Sequence, residues 1–177
     1  MQTKRIYWRD LNILYFKLVA NTGEKFEFDS PVLEVTSDAP TVTLVTSGKF
    51  LGEVSSRDPI EWPALPARTE GGMAFPGRHT LTALEDNSVY QCVCPFMEII
   101  PKDSLMYKLE HFHIPEARSI TFSGADGYKA VIAMTGAFTT PSGEVITGGH
   151  KLDVGEGAAT LAVQADSHLV AYRLKQN

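Results

Sequence analysis

Two histidines one residue apart, His111 and His113, followed by Glu116, form the cluster in this 177-residue chain whose side chains are those of a divalent-metal site. Residues i and i+2 of a strand share a face about 7 Å apart, so this pair suits one ion if a third ligand converges from another strand. His150 and His168 are the candidates for that place. Two imidazoles without a placed third ligand hold a metal poorly. No metal is therefore expected, and His111 and His113 read as hydrogen-bonding residues of a linker between domains. Cys92 and Cys94 share a strand face at a spacing too wide for an unstrained disulfide, and read as reduced, buried, small apolar residues.

A second candidate is a single imidazole. His79 falls on the same period-two face as Leu81 and Ala83, which points it inward if that face is the core and makes it the best polar residue for a ligand pocket. Tyr90 can join it, or belong with Tyr7, Trp8, Tyr15 and Trp62 in an aromatic wall. An anionic ligand would need converging cations, for which Arg57, Arg68, Arg78 and Arg118 are the loop candidates. Glycine-rich phosphate cradles, Gly-x-Ser-x-Gly elbows and Cys/His nucleophile pairs do not occur in the sequence.

The elements that must position these groups are strands. Apolar residues recur at a period of two and are punctuated by Gly, Pro, Asn and Asp, which reads as an all-β chain. Ile13–Ala20, the turn Asn21-Thr22-Gly23 and Lys25–Phe28 read as a hairpin, as does the segment around Thr140–Gly143 between Val131–Phe138 and Val145-Ile146. Helix is expected only over Asp103–Phe112, where Leu105, Leu109 and Phe112 are spaced i, i+4, i+7 in competition with a strand. With 44% hydrophobic residues and a formal net charge of −5, the composition is that of a globular protein. No apolar run approaches the roughly 18 residues of a membrane span, and no secretory signal precedes the charges at Arg9 and Asp10. A cytoplasmic protein is expected. The acidic balance argues against nucleic acid as a partner, and the lack of spans against a membrane.

An internal repeat organises the chain. Val42–Phe50 recurs as Val131–Phe138, an apolar strand ending in Thr or Ser, Gly and Phe, and Thr80–Val89 recurs as Thr160–Leu169. The spacing is 88 residues at Gly48 and Gly136 but 80 at Thr80 and Thr160, so the second copy has a shorter middle. Two units of one type, residues 1–100 and 101–177, follow.

The stretch Gly71–Val89, in which a Gly turn leads through Pro76-Gly77 to His79 and an Ala83-Leu84-Glu85-Asp86 turn, resembles the second sequence motif of cupins. The resemblance implies two cupin-like jelly-roll β-barrels formed by internal duplication, a degenerate bicupin. It extends to small cupin-like proteins encoded by phages, which would place the protein in the host cytoplasm. Metal-binding cupins carry His-x-His and a downstream Glu ahead of the strand-ending Gly. Counting back from Gly48 gives Thr41 at the Glu position, and from Gly136 gives Lys129, neither preceded by His; His79 itself aligns with Ala159. The resemblance thus implies a non-enzymatic structural or ligand-binding protein without cofactor. Its alternatives are a cupin isomerase, epimerase or metal-dependent oxygenase using His79 with Glu85 or Tyr90, and a protein sequestering a nucleotide-like molecule. By analogy alone, Glu85 and Asp86 become acid/base candidates, and His79, Tyr90, Glu85 and Arg78 the ligand-binding set. The apolar residues Tyr7, Trp8, Ile60, Trp62, Leu65 and Phe75 lie in the N-terminal segment and a proline-rich loop, where burial in a homo-oligomer is expected.

Overall fold

The computed structural model describes residues 1–30, 42–54, 58–63, 77–95 and 107–175. The chain divides into two compact units, residues 1–105 and 106–177. The first contains strands β1 (Gln2–Trp8), β2 (Ile13–Ala20), β3 (Lys25–Ser30), β4 (Val42–Ser47), β5 (Lys49–Val54), β6 (Ile60–Pro63), β7 (Gly77–Ala83) and β8 (Ser88–Pro95). They form two four-stranded antiparallel sheets, ordered β1-β2-β8-β4 and β3-β7-β5-β6. The second contains β9 (Tyr107–Ile114), β10 (Arg118–Ser123), β11 (Tyr128–Thr135), β12 (Ala137–Thr139), β13 (Val145–Thr147), β14 (His150–Asp153), β15 (Ala158–Val163) and β16 (Ser167–Leu174). Its sheets are β9-β16-β11-β14 and β10-β15-β12-β13. Among the described residues the helical element is one 3-10 turn, Gly124–Asp126.

Seven strands of each unit share one topology down to the register, β2, β8 and β4 corresponding to β9, β16 and β11, and β3, β7, β5 and β6 to β10, β15, β12 and β13; the eighth differs, β1 lying beside β2 and β14 beside β11. In the first, Val42, Thr43, Leu44 and Val45 pair with Val93, Cys92, Gln91 and Tyr90, and a bulge then sets Ser47 against Val89. In the second, Ala130, Ile132 and Ala133 pair with Tyr172, Val170 and Leu169, and a bulge at the same point sets Thr135 against His168. Past each bulge a glycine ends the strand, and the chain crosses into the other sheet: Phe50 pairs with Ala83, and Phe138 with Val163. Gly48 has φ +68° and Gly136 φ +78°, the left-handed region that glycine occupies without strain. A Cβ there would stand 2.1 Å from Ser88 Oγ at Gly48 and 2.2 Å from Ser167 Oγ at Gly136. The two serines are fully buried and work alike, Ser88 Oγ accepting from the Lys49 amide (3.1 Å) and Ser167 Oγ from the Ala137 amide (3.3 Å).

Ser88 and Ser167 are therefore equivalent, which corrects the sequence alignment by one residue. The turn after β15 is one residue shorter than the turn after β7, and the spacing of the repeat falls from 80 to 79 across it. Without a gap in the turn, Ser88 falls against His168 instead. The residues closing these turns, Asn87 (φ 55°) and Asp166 (φ 57°), are both left-handed, a conformation Asn and Asp tolerate well.

Two local expectations differ from the structure. β2 and β3 are not a hairpin: β2 pairs with β1 and β8 and β3 with β7, so Asn21–Gly23 joins two sheets rather than two neighbours. The turn is instead stapled to the β7–β8 turn, with Thr22 N–H donating to Asp86 Oδ1 (3.0 Å) and Asn87 N–H to Asn21 Oδ1 (3.0 Å). Residues 107–112 are strand, where a helix was in competition; the pairing of Leu109 with Tyr172 and Phe112 with Leu169 along β16 settles the period as two. Residues 103–106 lie outside the described residues. The second hairpin forms as expected, β12 pairing with β13 around Thr140–Gly143.

Each unit has its own apolar interior. In the first, Phe16, Leu18, Ala20, Val45, Phe50, Leu81, Ala83, Tyr90, Cys92 and Cys94 pack together. In the second, Ile114, Phe122, Val131, Ala133, Phe138, Leu161, Val163, Leu169 and Ala171 do so. β4, β11 and β16 are buried along both faces, so they read as continuous apolar runs rather than strict alternation.

Candidate functional site

His79 points into the first barrel and is 4% exposed. The register sets it beside Phe28, on whose ring it stacks at 4.9 Å and 12°. From there aromatic contacts run through the interior: Phe28 to Phe26 (5.8 Å), Phe26 to Phe16 (5.1 Å), Phe16 to Tyr90 (6.4 Å) and Tyr90 to Phe50 (5.9 Å). Tyr90 is a fully buried member of this chain, and burial pushes its hydroxyl well above the ordinary tyrosine range. Cys92 and Cys94 are free, buried thiols of the same interior, and Cys92 is pushed up by its hydrogen bond to Cys94 and by burial. A thiol held in that state is a poor nucleophile and a poor metal ligand.

The other members of the sequence-derived set lie elsewhere. Arg78 is exposed and engaged with Glu27 (2.6 Å). Glu85 is exposed in the β7–β8 turn, where its carbonyl accepts from Ser88 Oγ (2.7 Å). Arg78 and Glu85 flank opposite ends of β7, about 20 Å apart along an extended strand. His79 and Tyr90 are thus interior groups, and Arg78 and Glu85 surface groups, with no shared pocket among the described residues. Asp86 is the staple of the two turns, and its carboxyl is held down by the Thr22 amide. Of the aromatic wall, Trp8 meets Tyr15 (6.1 Å), whereas Tyr90 belongs to the interior. Tyr15 donates to Gln91 Oε1 (3.0 Å), and burial raises its hydroxyl to about 12. Arg118 opens β10 and is exposed; Arg57, Arg68, Leu65, Phe75 and the Trp62 side chain lie outside the described residues.

His111 and His113 are not in a linker. Both lie on β9, paired with β16, on the sheet face turned away from the second barrel's interior. The third imidazole beside them is His168, which pairs directly with His113. His150 is exposed on β14, which β11 separates from β16 and His168. The His113 and His168 rings stack at 4.3 Å and 5°, and His111 Nε2 lies 3.0 Å from His168 Nδ1, one of the two being the donor. Burial first, and the two neighbouring imidazoles next, lower His168 to about 4; burial and His113 lower His111. Parallel stacked rings direct their nitrogens side by side rather than at one point. Among the described residues, no three His, Cys, Asp or Glu side chains converge as a metal site.

One polar constellation was not singled out in the sequence. At the rim of the second barrel, Lys108 (β9), Arg173 (β16) and Tyr128 (β11) stand side by side in register, one layer above the row of Glu110, Ala171 and Val131. Since Val131 and Ala171 belong to the core, the whole set faces inward. Glu110 accepts from Tyr128 Oη (2.7 Å), Lys108 Nζ (2.9 Å) and Arg173 Nη1 (3.2 Å). Burial pushes the Glu110 carboxyl up, but these three donors outweigh it and hold it below the usual range. Arg173 is fixed further by donating from Nε to the Asp126 carbonyl (2.8 Å) and by lying 4.9 Å over the Tyr128 ring. Outside the ring of contacts is an open depression of about 320 Å³ bounded by Lys108, Arg173, Leu174 and Lys175. These positions look like ordinary surface charges in sequence. Only the pairing of β9 with β16 brings them to one inward-facing layer.

No protein-family model and no curated protein sequence matches the chain. Solved structures do. The protein YhaK from Escherichia coli is similar at 13% identity and TM-score 0.58, over 99% of this chain and 93% of that one. The bacterial pirin YhhW from Escherichia coli, solved in complex with nickel(II), is similar at 12% identity and TM-score 0.58, over 99% and 92%. A cupin 2 conserved barrel domain protein from Leptotrichia buccalis is similar at 7% identity and TM-score 0.52, over 98% and 88%. At such identities the likeness shows the fold.

Proposed function

The chain has the cupin fold, with neighbours covering its whole length, and we propose that it uses that fold as a ligand-binding or structural module rather than as a metal-dependent enzyme. One observation carries this reading: the inward histidine of the cupin-like motif is a packing group. His79 stacks flat on Phe28, and its counterpart on β15 is Ala159. Residues 31–41, which precede β4, contain no histidine.

Elemental analysis of the purified protein tests the reading. Far less than one Fe, Mn, Ni or Zn per chain is expected, with no change on His79→Ala. About one equivalent of metal, lost on replacing His79, His111 or His113, would show instead a metal-dependent cupin.

A further inference from the structure

We propose that the charged rim of the second barrel, formed by Lys108, Arg173 and Lys175 around Glu110 and Tyr128, is a binding site for a small organic oxyanion, a carboxylate or a phosphate monoester. This deepens the binding-module reading and rests on it. The duplication supplies the control. Ser88 and Ser167 are equivalent, so the sixth residue beyond each, Cys94 and Arg173, is equivalent too. Their partners correspond likewise: Leu14 pairs with Cys94 as Lys108 does with Arg173, and Phe16 with Cys92 as Glu110 does with Ala171. In the first barrel this layer is Leu14, Phe16 and Cys94, all packed into the core. The fold therefore closes this end with apolar side chains, and the ionic layer in the second barrel answers to something other than folding.

The layer is also shaped for recognition. The Arg173 and Glu110 side chains are 28% and 21% exposed, dry enough to strengthen an ion pair and wet enough to be reached. Tyr128, the Asp126 carbonyl and Glu110 immobilise the guanidinium through Nε and Nη1, and the side chain held in this way lines the depression. Such preorganisation lowers the ordering cost of a bidentate contact to an oxyanion. Lys108, Arg173 and Lys175 outnumber the Glu110 and Asp126 carboxylates at the rim, so an anion is attracted. The depression, at about 320 Å³, admits a small metabolite and no more.

The test is calorimetric titration of the full chain, at low ionic strength and pH 7.5, with inorganic phosphate in one arm and malonate in the other, against chloride at matched ionic strength. Saturable one-to-one binding in either arm is expected, and the tighter arm identifies the source of the oxyanion. Lys175→Ala alters an exposed side chain and Lys108→Ala removes one half-exposed ion pair to Glu110, so the thermal midpoint moves little while binding weakens roughly tenfold in each. Arg173→Gln should abolish binding. No saturable binding in either arm, equal binding of chloride, or affinity unchanged in both lysine variants overturns the proposal and makes the layer a structural ion-pair network. Metal content is measured separately, so this site can fail while the metal-free reading stands, and the converse.

Discussion

His79 illustrates how one side chain can satisfy a sequence motif and serve a different purpose. Its ring lies flat on Phe28 at the head of a line of aromatic contacts, so removing it opens a void among packed rings. His79→Ala is expected to destabilise the first unit by about 2–4 kcal/mol, read as a lowered urea midpoint with the slope unchanged. The three stacked imidazoles make a second residue-scale prediction. His168 is held near 4 in the folded state against about 6.5 in the unfolded chain. The unfolded state therefore takes up the proton first as pH falls. Stability is unaffected above about pH 7, declines through 6.5 and levels off near 4, a loss of up to roughly 3 kcal/mol in which His111 shares. Urea midpoints from pH 7.5 to 4.5 measure it, and His168→Leu should flatten the decline. An unchanged slope in that variant would assign the acid sensitivity elsewhere. The inward direction of His79 was legible from its alternation with Leu81 and Ala83. That His168 rather than His150 joins His111 was not, because the choice depends on a register between strands 57 residues apart.

At the scale of elements, the hinge glycines do the same work twice. Each ends one strand, crosses to the other sheet at positive φ and lets a buried serine close against the backbone. Gly48→Ala and Gly136→Ala combine left-handed strain with a Cβ 2.8–2.9 Å from a serine Cα, atoms that cannot rotate away. Each substitution is expected to cost about 2–5 kcal/mol. Thermal denaturation of both variants checks it, and a tolerated alanine at either position would mean that the strand crossing can be remodelled. These glycines were readable in sequence because they close apolar runs followed by Phe. The β2–β3 hairpin was misread for a related reason: a tight turn between two alternating segments looks the same whether it joins neighbours in one sheet or crosses between two. The rim layer was hidden because Lys108 and Glu110 sit among residues with a helical spacing, and only the strand pairing turns them inward.

At the scale of the whole molecule, the register match between units is stronger evidence for duplication than residue identity, since pairing, bulge, hinge and serine recur together. Strands β1 and β6 are sheet edges in the first unit, and Tyr7 (39%) and Ile60 (45%) stand exposed on them. Exposed edges with large apolar side chains favour self-association, and a homo-oligomer is the expected state. Light scattering at micromolar concentration should give a mass that is a multiple of 19.4 kDa, reduced by Tyr7→Glu with Ile60→Glu. A monomer mass in the unaltered protein would refute the expectation.

β8 and β16 are the last strands of their units in chain order, and both occupy interior places in their sheets, β8 between β2 and β4, β16 between β9 and β11. During synthesis on the ribosome the strands that flank β8 and β16 emerge first and wait without their common partner, which is translated after them, although β1 and β14 can already pair with β2 and β11. Each barrel must therefore close late and in one concerted step, which suits slow, all-or-none folding of a chain rich in long-range contacts. A nascent chain stopped before Ser167 would expose β9 and β11 together as open edges. Such truncated products should aggregate rather than persist as a half-folded domain.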